Sequence, residues 1–207
     1  MGYIGTKPSA VPLTSADITD GIITSAKIAD GTIVNADINA SAAIVTSKLS
    51  GTLGITEADQ WRLTADLTGT NDVISANLER IDTAGQGTLG TGMTQSSGIF
   101  TFPSTGIWLV MFQGNGYNAS TADNMTIVIE VTTNNSTYTT IALTADSAGG
   151  IAQDQHGTLV CSTFIDVTST ANVKVRFQTS SFQAGTSLSG STTANWATFT
   201  FIRLGDT

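Results

Sequence analysis

The sequence predicts an all-β chain: an extended arm, a repetitive β shaft and an antiparallel jelly-roll sandwich, assembled as a homotrimer. Three observations predict it. Isoleucines recur every five residues at Ile18, Ile23, Ile28, Ile33 and Ile38. Alternating strand patterns take over from about residue 98. Charged residues make up only 12% of the chain, against roughly 25% in ordinary soluble domains, and Thr, Ser, Ala, Gly and Asn stand in their place.

A length of 207 residues allows one domain and an extension. Hydrophobic residues at 40% supply a core, and the abundance of β-branched residues argues against disorder. The net charge is −8, and the eight Lys and Arg residues are scattered. Without a basic face, nucleic acid and polybasic membrane attachment are excluded as partner classes. No apolar run approaches the roughly 20 residues that span a bilayer. The stretch Met1–Pro8 lacks an apolar signal segment, so synthesis in a cytoplasm is expected. One cysteine, Cys161, allows no intrachain disulfide. Durability must come from packing or from association.

The arm covers residues 1–14. Pro8 and Pro12 disfavour helix before them. Tyr3 and Ile4 are costly to leave in water. With Lys7 they form the candidate anchor to a larger structure.

The shaft covers residues 15–55. Two pentads make a ten-residue unit: Ser15-Ala16-Asp17-Ile18 returns as Ser25-Ala26-Lys27-Ile28 and Asn35-Ala36-Asp37-Ile38. One inserted residue then delays Thr46-Ser47-Lys48-Leu49. Asp20-Gly21 and Asp30-Gly31 are turn pairs in one phase. A beat of five fits neither helix nor strand, but fits a chain that turns every few residues and sends one isoleucine inward. The expected shaft core is Ile18, Ile23, Ile28, Ile33, Ile38 and Leu49.

Residues 56–97 read as a neck with the first strand or strands of the head. Ile74, Leu78 and Ile81 have helical spacing, while Trp61–Leu67 suits a strand, so the segment stays open. The head covers residues 98–207. Phe100 and Phe102 alternate with threonine, and Trp108–Phe112 is apolar on both faces. Val173, Val175 and Phe177 oppose Lys174 and Arg176, and Phe199–Leu204 closes the series. Turn-rich pieces between these runs complete the pattern of a sandwich or jelly roll.

Three resemblances add to this reading. Small residues two places before each isoleucine resemble the pentapeptide-repeat family, which coils one chain into a square β-helix. About thirty residues would give only one and a half coils, so three chains wound on one axis is the preferred form. The run Ile28-Ala29-Asp30-Gly31-Thr32-Ile33 also resembles the shafts of bacteriophage fibre proteins. The stretch Gly98-Ile99-Phe100-Thr101-Phe102-Pro103-Ser104-Thr105-Gly106-Ile107-Trp108 resembles the second and third strands of the tumour-necrosis-factor and complement-globular-head superfamily. Trp108 replaces its usual tyrosine, and Phe102 directly precedes Pro103. Trp196–Gly205 is similar to that family's last strand. The resemblance implies a ten-stranded jelly roll that forms compact trimers, binds partners and is not an enzyme. It implies a trimer interface of Trp108, Val110, Phe112, Phe199 and Phe201.

Catalytic chemistry is sparse. His156 is the single histidine and lies in a loop-like stretch, while Cys161 lies in an apolar strand. No nucleophile elbow occurs, and the ligand count excludes a zinc site. Asp123, Asp146 and Asp154 match no calcium loop. No cofactor is expected. Asn-x-Ser/Thr sites at Asn39, Asn118, Asn124, Asn134 and Asn135 mark amide-rich loops. Tyr117, Asn118, Asp123 and Asn124 combine an aromatic with amides and form the candidate receptor loop. The expected function is a structural virion fibre or spike of a bacteriophage, displayed on the virion surface. It would be fixed to tail or capsid by its N-terminus and attach to the host through its head. The alternatives are a capsid decoration protein without a receptor role, and a carbohydrate-binding module or lyase.

Overall fold

The computed structural model describes residues 14–39, 41–44, 54–69, 71–118, 123–148 and 155–207. The chain divides into two compact units, Met1–Gly51 and Thr52–Thr207.

In the first unit the ten-residue period is real and local. Single 3₁₀ turns form at Ser15–Asp17, Ser25–Lys27 and Asn35–Asp37. Each begins with an i+3 bond: Asp17 N–H to Thr14 C=O (3.0 Å), Lys27 to Thr24 (2.9 Å) and Asp37 to Val34 (2.9 Å). Asp17 Oδ2 also accepts from the Thr14 amide (2.8 Å) and hydroxyl (2.7 Å). These bonds hold the Asp17 carboxyl below its ordinary range. Asp37 repeats the amide contact to Val34, and Lys27 replaces the aspartate in the unit between. Gly21 and Gly31 close the second turn of each unit at φ 76° and 79°, where a side chain would be strained. The described residues of this unit contain turns and no strand within the single chain. Short-range turn bonds occupy backbone groups that a ladder would need. Ile18, Ile23, Ile28, Ile33 and Ile38 are all exposed in the single chain. Leu49 and the anchor residues Tyr3, Ile4, Lys7, Pro8 and Pro12 lie outside the described residues.

The second unit is a β-sandwich. Its strands are β1 (Ala58–Leu63), β2 (Leu67–Thr68), β3 (Leu78–Arg80), β4 (Thr94–Ser96), β5 (Ile99–Thr101), β6 (Gly106–Asn118), β7 (Asp123–Thr132), β8 (Thr139–Ala148), β9 (Gln155–Val167), β10 (Lys174–Ser180), β11 (Thr186–Leu188) and β12 (Thr198–Gly205). One sheet runs β2-β11-β6-β12-β1-β3, with β9 along the other edge of β6; the second runs β4-β5-β10-β7-β8. The pairings are antiparallel.

The core is aromatic. Phe100, Phe112, Phe177, Phe199 and Phe201 are fully buried. Phe177 and Phe199 stack with centroids 4.5 Å apart, and Phe112 and Phe199 at 4.8 Å. Rings at such separations contribute about 0.5–1.5 kcal/mol per pair beyond the area they bury.

The first strands of this sandwich, β1 to β4, lie between residues 58 and 96. β1 lies between β12 and β3, and Leu63, Ile74 and Met93 are fully buried. The helical spacing of Ile74, Leu78 and Ile81 produces no helix. Asn77 sits at φ 56°, a left-handed residue that stops a helical run, and Leu78–Arg80 pairs with β1. The carboxylate of the buried Asp59 organises the segment that follows. It accepts from Trp61 Nε1 (3.0 Å), Arg80 Nε (3.1 Å), Thr88 Oγ1 (3.1 Å) and the Met93 amide (2.7 Å). Arg62, also buried, donates to Glu79 (2.7 Å), Asp82 (2.6 Å), Thr83 (2.8 Å) and the Thr192 carbonyl.

Candidate functional site

The outer face of the larger sheet carries the features that need a partner. In a strand, successive side chains point to opposite faces. Along β6 the even residues Trp108, Val110 and Phe112 point into the sandwich, as do Phe199 and Phe201 of β12. All five are fully buried within one chain. This corrects their assignment to a trimer interface, because no surface of theirs is left for a neighbour.

The outward residues of the same strands are apolar as well. Leu109 stands opposite Phe164 of β9 on one side and Ile202 of β12 on the other, and Ile202 stands opposite Ala58 of β1. The result is one apolar row across four strands. Met111 follows, between Ser162 and Thr200. Phe164 is 67% exposed, Leu204 48% and Val160 45%. Cross-strand neighbours sit about 4.5–5.5 Å apart, so the row forms a patch and not isolated side chains. Sequence reasoning missed these residues. The signal was present in the two-sided apolar run 107–112, but the sequence did not show which parity faced inward.

Towards the far end of β6 the same face turns polar. Gln113, Asn115 and Tyr117 follow Met111, opposite Val160, Thr158 and His156. The 189–196 loop is drawn over this end by backbone bonds from the Ser189 amide to the Asn115 carbonyl (2.9 Å) and from the Asn115 amide to the Trp196 carbonyl (3.0 Å). Trp196 remains 46% exposed. A hollow of about 300 Å³ lies on one side of it, lined by Gln113, Asn115, Thr158 and Asn195. Another of about 340 Å³, also bordered by Trp196, is lined by Asp66, His156, Ser189 and Ser191.

The candidate receptor loop is not a single surface. Asn118 is fully buried, pointing inward at the end of β6, so it offers nothing to a ligand. The Tyr117 ring packs against His156, centroids 5.2 Å apart. Asn124 is exposed and pairs with Ser147, while Asp123 pairs with Ala148 on the opposite sheet. Residues 119–122 lie outside the described residues.

Cys161 and His156 share β9 but lie on opposite faces. Cys161 points inward, and burial pushes its thiol up to about 11, whereas His156 is outward and exposed and contacts Asn115 Oδ1 through Nδ1 (3.1 Å). They cannot act as a nucleophile and its base. Among the described residues no cluster of three His, Cys, Asp or Glu side chains forms a metal-binding group, and no helix is long and apolar enough to cross a membrane.

No protein-family model matches the chain, and no curated protein matches it in sequence. Solved structures do. Eiger TNF from S. frugiperda aligns with a TM-score of 0.56 at 12% identity, covering 74% of this chain and 95% of that one. Murine APRIL at pH 8.0 aligns with a TM-score of 0.51 at 14% identity, covering 72% of this chain and 98% of that one. At such identities the likeness establishes architecture: the second unit is a jelly roll of the tumour-necrosis-factor type.

Proposed function

We propose that this chain is a homotrimeric fibre or spike protein of a bacteriophage virion. Residues 1–14 fix it to the tail or capsid, the ten-residue repeat forms the shaft, and the jelly roll is a head that attaches to the host surface. The role is structural, by binding and not by catalysis. One observation carries the reading. Every isoleucine described between residues 14 and 44 is exposed in the single chain. Each forgoes on the order of 1.5–3 kcal/mol that burial would return. A repeat of such side chains finds an inside only against copies of itself. The apolar row Phe164–Leu109–Ile202 gives the head a matching self-contact.

The mass of the full chain in solution tests this. Light scattering is expected to give three times the 21.3 kDa chain. Phe164→Asp is expected to shift it towards the monomer while the far-ultraviolet strand signal is retained. A wild-type monomer at micromolar concentration refutes the reading. Removal of residues 1–14 is expected to leave the trimer intact and abolish incorporation into particles.

A further inference from the structure

The outer face of the larger sheet is divided along its strands. Its apolar part is centred on Phe164, Leu109 and Ile202. Six residues further along β6, at roughly 3.3 Å per residue, the face consists of amides, hydroxyls, an imidazole and a carboxylate around the exposed Trp196. Such a surface does not suit subunit packing, because burying those groups without partners costs about 1–3 kcal/mol each.

We propose that Trp196, with the two hollows it borders, is a binding site for a short neutral saccharide. An indole offers a broad apolar face at low conformational cost and carries a polar handle. A pyranose ring has an apolar C–H face to lie on it and a rim of hydroxyls, each both donor and acceptor. The hollows supply counterparts for that rim. Asn195 Oδ1 is buried without a hydrogen-bond partner, while its Nδ2 is held by Gln60 Oε1 at 3.0 Å, and Gln60 by Thr200 at 2.7 Å. That oxygen is itself closed off from solvent; the exposed polar side chains at the first hollow are those of Gln113 and Thr158. Asn115 Oδ1 is occupied by His156 (3.1 Å) and Ser189 (3.3 Å), which leaves its amide nitrogen to donate. In the second hollow Asp66 Oδ1 is positioned by the Gly190 amide at 2.8 Å and retains acceptor capacity.

The charge pattern selects the sugar class. Neither hollow is lined by Lys or Arg, and Asp66 opposes an anionic ligand, so uronic or sialic acids are disfavoured. An extended peptide is disfavoured for another reason. At this point β6 is paired with β9 on one side and β11 on the other, so there is no free edge for strand addition. Each hollow, at about 300 and 340 Å³, sits at the lower end of small-molecule sites, which suits one ring in each.

Use of the site in host attachment rests on the fibre reading; saccharide binding itself does not. The test exposes the full chain to an array of neutral oligosaccharides built from glucose, galactose and N-acetylglucosamine, together with uronic-acid oligosaccharides. Retained members are then titrated by calorimetry, and masses are measured in parallel. The wild type is expected to retain a neutral member. Trp196→Ala should weaken it at least tenfold and Trp196→Phe less, with the mass unchanged in both. A wild-type monomer that binds the neutral sugar supports the site while refuting the fibre. The proposal is overturned if no neutral member is retained, if acidic members bind better, if Trp196→Ala binds as well as the wild type, or if that variant changes the mass. The last outcome would place Trp196 in the subunit contact.

Discussion

Cys161 shows how one side chain reports on its surroundings. Its thiol is held neutral by burial, which pushes its pKa from the ordinary 9.0 up to about 11. The folded form therefore keeps its proton where the unfolded form gives it up. The stability this reflects is complete below about pH 9 and is lost as pH rises towards 11. Urea midpoints are expected to fall across that window in the wild type and to fall less in Cys161→Ala, the difference being on the order of 2 kcal/mol. The same burial predicts that iodoacetamide leaves the native protein unmodified at pH 8 and modifies it in denaturant. Asp59 makes a sharper case. Its removal in Asp59→Ala strips acceptors from Trp61, Arg80, Thr88 and Met93 at once. The expected cost in urea unfolding is about 1–3 kcal/mol, the range for leaving a buried donor such as the Met93 amide unpaired. The burial of Cys161 was legible in its apolar strand, but the role of Asp59 was not, because it finds these partners 2 to 34 residues away through the fold.

At the scale of elements, strands read well and boundaries less well. β5, β6, β10 and β12 follow from alternation alone. The hairpin between β4 and β5 turns on Ser97 (φ 49°) and Gly98 (φ 79°), the paired left-handed residues that a tight two-residue turn prefers. A Cβ on Gly98 would also strike the Ile74 carbonyl. Gly98→Ala is therefore expected to lower stability by more than about 1 kcal/mol, measurable as a lower thermal midpoint. In the repeat, both the five-residue beat and the ten-residue unit were legible, and the structure gives the unit its form, 3₁₀ turns alternating with glycine turns. Deleting residues 25–34 keeps the phase and is expected to leave the oligomeric mass at three times that of the shortened chain. Deleting residues 25–29 joins unlike turns and is expected to lower that mass.

For the whole molecule, association works against charge. Three chains of net charge −8 repel one another, while the proposed contact is apolar. Added salt screens the repulsion and leaves apolar contact in place. The trimer is expected to tighten between 20 and 300 mM sodium chloride in sedimentation equilibrium; weakening instead would mean that ion pairs hold the contact.

The sequence by itself determined the all-β class, the turning repeat and the run of strands in the head. Those follow from local periodicity and composition, which short-range sterics and side-chain alternation translate directly into backbone form. Only the tertiary structure decided which faces of β6 and β12 are buried. Where both faces of a strand are apolar, alternation leaves two equivalent choices, and the opposing sheet selects one by supplying Phe100 and Phe177 to pack against it. That choice moved the candidate contact from Trp108, Phe112 and Phe199 to Leu109, Phe164 and Ile202. It also brought Asn115 beside Asn195 and Trp196, which are distant from it in sequence, at the hollows.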